Sequence, residues 1–342
     1  MIVMKTKTCL LLLLILPFFS CNNSRNTNKE GPRKDFSTYE LVKDWPQLKP
    51  GFLLSPVSGV GVDNQQNIFI FQRTDRGWTE PFPDSLISSN TIFLLDREKG
   101  NILNSWGSNL FIMPHGLTVD KENNVWVTDV GLHQIFKFNH EGDLLLKLGV
   151  AKIAGNDSLH FNLPTDVAVA DDGSFYISDG YGNSRVVKFS KEGKYLFEWG
   201  TMGNKQGEFN IPHMIDLDSY GNVYVADREN NRIQKFDGAG RFLKEWKNNE
   251  GDQLYSIVSD RRTNRLFAID LLTINDTVCK GSDIIQFDPE MKMLGRAGRS
   301  GLSSWPLLDL HDITIDNEEN IFVCGTVTTK LHKFKKVTTS RQ

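Results

Sequence analysis

The sequence predicts an all-β chain folded as a six-bladed β-propeller, and three observations carry that expectation. A unit recurs along the chain, each copy reads as four short strands, and six copies can be placed. The clearest copies are PHGLTVDKENNVWVTD from Pro114, PTDVAVADDGSFYISD from Pro164 and PHMIDLDSYGNVYVAD from Pro212. Each is an alternating apolar run, a polar turn with Asn or Gly, a second apolar run and a terminal Asp. QIFKF, RVVKF and RIQKF then supply third strands, and runs ending near LKLG, FEWG and KEWK supply fourth ones.

Weaker copies flank these three. SGVGVDNQQNIFIFQ opens one unit before them, and SIVSDRRTNRLFAID and HDITIDNEENIFVCG open two after. FSTYELVKDW, ahead of the first unit, is placed to give the last blade its outer strand and close the ring. The expected organisation is therefore a propeller over residues 35–337, preceded by segments of another kind.

Those segments read as export signals. MIVMKTK carries positive charge, CLLLLILPFF is an apolar run too short to span a bilayer, and Ser20-Cys21 follows. This order resembles a bacterial lipoprotein signal: residues 1–20 are removed, Cys21 becomes the lipidated first residue, and residues 22–34 form a flexible tether. An ordinary cleaved signal peptide is the alternative. Either way the expectation is an exported protein, periplasmic, touching a membrane only through the lipid anchor. Cys279 and Cys324 would then be the remaining thiols, free to pair or not in an oxidising compartment. A formal net charge of -3 without a basic cluster gives no reason to expect nucleic acid as a partner.

The repeat also serves as a ruler. Fourteen residues before the end of each second strand stand Ser58, His115, Thr165, His213, Ser256 and His311. Histidine thus occupies one register position in blades two, four and six. Alternate blades of a six-bladed ring lie about 120° apart, so three imidazoles on inner strands approach the axis from three sides. Three neutral nitrogens with an open fourth position are what a catalytic zinc ion needs.

Two further features share the ruler. From Asp179 to Phe189 the chain is one residue longer than the matching stretches of blades two and four, and the extra residue lies in DGYGNSR. Glycines on both sides of Tyr181 permit a turn that lifts its phenol over the ring; a plain surface tyrosine is the other reading. Arg73 and Arg228 directly follow the second strands of blades one and four. Guanidinium groups there suit a carboxylate or a nearby phenol, or else pair with structural acids.

These residues in order, with FQRTDRGW, VADRENNRIQKF and LHDI, resemble the peptidyl-α-hydroxyglycine α-amidating lyase, a family built from NHL repeats. The similarity runs from about Phe36 to Phe334, and the repeat's Asp, Asn, Arg and Phe are plain as Asp227, Asn230, Arg232 and Phe236. The resemblance implies zinc on His115, His213 and His311. It implies a structural calcium on the axis, bound by the backbone of Val60 and Leu117 and by Asp312. It implies catalysis by Tyr181, Arg73 and Arg228: a C-terminal α-hydroxyglycine, on a peptide or small molecule, is split into an amide and glyoxylate.

The chain departs from the family pattern in places. Its two disulfides are replaced by Asn162 with Gly182 and by Tyr224 with Lys235, and Asp309 stands where the family has a pocket methionine. Asp309 is therefore a possible pocket residue, able to reach the metal or to repel an acidic substrate. No copper monooxygenase domain accompanies the lyase pattern in these 342 residues. Two other functional classes remain: a non-catalytic propeller stiffened by its metals, and a calcium-dependent propeller hydrolase.

Overall fold

The computed structural model describes residues 39–249, 252–274, 278–298, 309–327 and 331–337. The expected signal, Cys21 and the tether lie outside the described residues. Six antiparallel sheets form the six blades of a propeller. Their innermost strands are Val57–Val62, Pro114–Val119, Asp166–Val169, Pro212–Leu217, Gln253–Asp260 and Leu310–Ile315. Each packs beside the next around the ring. The last sheet is closed as expected: Tyr39–Leu41 pairs antiparallel with Leu331–Lys336, joining the two ends of the described chain in one blade.

Apolar alternation explains the layers. The second strands, such as Ile68–Gln72, Val125–Asp129 and Val223–Asp227, are buried on both faces because neighbouring blades cover them. The fourth strands lie at the rim and are half exposed, as Leu144–Leu148 and Phe242–Lys247 show. Between blades the fill is aromatic, with Phe111 edge-on to both Phe71 and Phe136.

The terminal Asp of the repeat has a physical role. Asp129 accepts the backbone N–H groups of Ile112 and Met113 at 2.8 and 2.9 Å, which fixes the entry into the inner strand. Asp227 does the same for Asn210 and also holds Asn230 and Arg232. A buried carboxylate is kept because several donors converge on it.

Blade six lacks this acid, since Gly325 stands at the position. Asp309 compensates from the opposite strand. It is buried, a Cβ on Gly325 would lie 3.0 Å from its Oδ2, and it accepts the N–H of Val327. The carboxylate read as a pocket group is thus engaged with the backbone of its own blade.

The places of the family disulfides are filled differently. Gly182 lies against Asn162, whose carbonyl takes its N–H at 2.9 Å. Lys235 lies over the Tyr224 ring at 4.9 Å and pairs with Asp218 at 3.3 Å. Cys324 is a free thiol buried in blade six, and the Cys279 side chain considered as its partner lies outside what the structure describes.

Candidate metal centre and active site

The inner strands are interrupted where the ruler falls. In blades one, four and six a β-bulge leaves Ser58, His213 and His311 unpaired, and in blade two the bulge takes in His115 and Gly116. A bulge frees one side chain from the alternation of the strand and re-aims it. In blade five the unpaired residue is Tyr255, not Ser256, because Leu254 pairs with Asp270 and Ser256 with Ile269. The hairpin between those strands is one residue longer than in blade four, so counting back fourteen overshoots by one. Ser256 instead donates to Asp312 at 2.8 Å.

The three histidines meet. Their nearest ligand atoms lie within 4.8 Å of one another, and all three side chains are buried. Each Nδ1–H donates to the carbonyl of the ring residue in the next blade: His115 to Thr165 at 2.8 Å, His213 to Tyr255 at 2.6 Å, His311 to Ser58 at 2.7 Å. A carbonyl only accepts, so each proton sits on Nδ1 and each Nε2 presents a lone pair. Gly116 is required by this arrangement, since a Cβ there would stand 2.5 Å from the Thr165 carbonyl oxygen.

Burial holds all three imidazoles well below the usual histidine range. His311 and Arg73 add to it for His115, His115 and Arg228 for His213, and Arg73 for His311. The set is neutral at physiological pH. The Tyr181 hydroxyl lies 3.0 Å from His115 Nε2 and 2.9 Å from His213 Nε2, one proton between two of the three buried lone pairs. A metal ion satisfies all three lone pairs together, and imidazole nitrogens suit zinc among others.

Tyr181 reaches the centre because Gly180 lets the chain pass close to blade four. A Cβ on Gly180 would lie 2.2 Å from the Pro212 carbonyl oxygen. The two arginines differ. Arg228 donates to Tyr181 Oη at 3.3 Å and pairs with Glu229 at 2.8 Å. Burial opposes its charge, but the two phenols of Tyr181 and Tyr255 and the Glu229 carboxylate outweigh it and hold its pKa up.

Arg73 is buried, donates Nε to the Pro114 carbonyl at 2.9 Å and lies under Trp78 at 5.6 Å. Among the described residues no carboxylate pairs with it, and burial pushes its guanidinium down. This desolvated cation lines a cavity of about 440 Å³ with Trp78, Glu80, Tyr181, Arg228, Tyr255 and His311, and a guanidinium so placed suits an anionic group.

The other expected metal residues, Val60, Leu117 and Asp312, lie a step further along the inner strands and line a second cavity. Burial raises the Asp312 carboxyl to about 7, against the hydrogen bonds from Val60, Ser256 and Ile313. Asp166 and Asp216, which sequence reasoning passed over, line the same cavity. Asp166 is pushed well above the carboxylate range, by burial first and by Asp312 second. Oxygen donors that repel one another across the axis suit a hard cation such as calcium. Asp166 follows Thr165 as Asp312 follows His311, a signal the register contains.

The fold and this centre define the class. The NHL repeat family matches residues 111–138, 161–189 and 209–236, the hearts of blades two to four. A streptogramin B lyase structure covers 88% of this chain and 99% of its own at a TM-score of 0.56, but at 13% identity it is a likeness of fold alone. Over 255 residues the chain is 34% identical to a probable peptidyl-alpha-hydroxyglycine alpha-amidating lyase of Caenorhabditis elegans, spanning 68% of this chain and 72% of the worm protein. It is 42% identical to peptidyl-glycine alpha-amidating monooxygenase B of Xenopus laevis over 63% of this chain; that match spans 26% of the frog protein, about a quarter of its length. The chain belongs to the peptidyl-α-hydroxyglycine α-amidating lyase family.

Proposed function

We propose that this protein is a zinc-dependent lyase that cleaves the C–N bond of an N-acyl α-hydroxyglycine, or a similar N-linked α-hydroxy acid, into an amide and glyoxylate. The observation that supports it most is the Tyr181 hydroxyl, poised against the Nε2 atoms of His115 and His213 beside Arg228. A zinc ion held by His115, His213 and His311 would supply Lewis acidity toward the substrate hydroxyl.

Arg73, with which no carboxylate pairs among the described residues, takes the substrate carboxylate. Tyr181 removes the hydroxyl proton as general base. The C–N electron pair passes to nitrogen as the hydroxyl-bearing carbon becomes the aldehyde of glyoxylate, and the nitrogen takes up a proton to give the amide. Proton count is conserved, so no oxidant or further co-reactant is required. Calcium at Val60, Leu117 and Asp312 would tie the inner strands together without joining the chemistry.

The test is glyoxylate release from an N-acyl α-hydroxyglycine by the purified chain, with metal content measured on the same sample. Release that disappears with a zinc chelator and returns with added zinc is expected. Stoichiometric zinc with no release overturns the lyase reading and leaves a metal-stiffened binding propeller.

A further inference from the structure

Tyr255 is the ring residue to which the register gave no role. It sits at the bulge of blade five, in the position that His213 and His311 hold in blades four and six. Its ring centroid is 5.0 Å from that of His213 and 6.0 Å from that of His311. Tyr181 fills the corresponding gap between His115 and His213, at 5.2 and 5.5 Å. Two phenol rings therefore flank the centre on adjacent sides.

Arg228 lies between those two rings, its guanidinium carbon 5.2 Å from each centroid. Blade five grips the same arginine a second way. Gln253, two residues before Tyr255, donates to both oxygens of Glu229 at 2.9 Å, and Glu229 takes Arg228 Nε at 2.8 Å. A cation held between aromatic faces and pinned at one nitrogen keeps a single orientation, which here aims Nη1 at the Tyr181 hydroxyl.

We propose that Tyr255 is a positioning residue: its ring fixes Arg228 against the Tyr181 hydroxyl, and so sets the rate of the proton removal that Tyr181 performs. The inference rests on Tyr181 being the base of the proposed reaction. The role belongs to the ring face, so phenylalanine replaces it and leucine does not. The carbonyl that holds His213 is backbone and survives either change, so metal binding is preserved.

The experiment compares Tyr255→Phe and Tyr255→Leu, each alone and with Arg228→Ala, in metal-loaded full-length protein. Expected are a kcat lowered about tenfold in Tyr255→Leu with KM within about twofold, and a kcat within about threefold of the parent in Tyr255→Phe. On Arg228→Ala, Tyr255→Leu adds less than about twofold. The readout independent of turnover is the NMR shift of the Arg228 Nε–H, displaced by the ring currents of both phenols in the parent and in Tyr255→Phe and relaxed in Tyr255→Leu. Equal losses in both variants, or additive losses with Arg228→Ala, overturn the proposal. A parent protein that releases no glyoxylate but shows the Tyr255-dependent shift overturns the lyase reading while the placement of Arg228 by Tyr255 stands.

Discussion

Two neighbouring levels of the propeller axis are built by the same six strands and hold opposite chemistries. At one, three buried imidazoles are kept neutral and two arginines stand among them. At the other, Asp166 and Asp312 are buried with a half-buried Asp216 beside them, and all three resist ionisation. The change takes a single step along the chain, from His311 to Asp312. The bulge makes this possible, because an unpaired residue turns one side chain toward the first end while its neighbour stays in the ladder. The histidine end has open cavity, a phenol and, in Arg73, a cation with no paired carboxylate among the described residues. The aspartate end has carboxylates already tied to backbone N–H groups. Chemistry is expected at the first and stiffness at the second.

Breaking the histidine end has the largest expected effect. His213→Ala should lose the imidazole-bound metal and bring glyoxylate release to background, while calcium binding at the aspartate end persists; metal analysis with and without EGTA separates the two. Retention of both metals and of turnover would dissolve the distinction between the ends. Tyr181→Phe is expected to lower kcat by about 10²–10⁴ with the metal kept. Unchanged turnover removes Tyr181 from the mechanism.

Arg73→Met sharpens the comparison further. Loss of a charge-assisted contact to the substrate carboxylate should raise KM about tenfold to a hundredfold. Thermal stability should hold or rise, because a desolvated cation is removed. A large fall in stability would make Arg73 structural and leave the carboxylate to Arg228.

The smallest effect lies at the aspartate end. Asp312 is raised to about 7 in the fold, so the folded chain without metal binds a proton that the unfolded chain has lost. Its contribution to stability is full below the ordinary carboxylate range and is lost as pH rises toward about 7. Denaturation of the metal-free parent and of Asp312→Asn across this window should show their stability difference shifting against the parent, by on the order of a few kcal/mol. Added calcium should restore the parent alone. A pH-independent difference would mean that Asp312 is ionised in the fold.

Much of this molecule is local and therefore legible. A blade is made of short strands joined by polar turns, so apolar alternation, the terminal Asp and the FSTYELVKDW segment announced six blades and their closure. The histidines were legible because a ring turns equal register into common direction. Tyr255 was not, since one additional residue in the hairpin beyond it shifts the count and points to Ser256. Asp309 was legible as a departure, but not its hydrogen bond from the Val327 N–H or its closeness to Gly325, which depend on how the two strands of blade six pair.

By itself the sequence determined the propeller and the three converging imidazoles, because both follow from periodicity and chain geometry, while it left Tyr181 between a phenol raised over the ring and a plain surface tyrosine. Tertiary structure alone decided which arginine pairs with a carboxylate, which tautomer each imidazole adopts, and how carboxylates from blades three, four and six face a common axis. Those properties belong to groups brought together from distant parts of the chain. Their energies depend on burial and on neighbours that no local pattern contains.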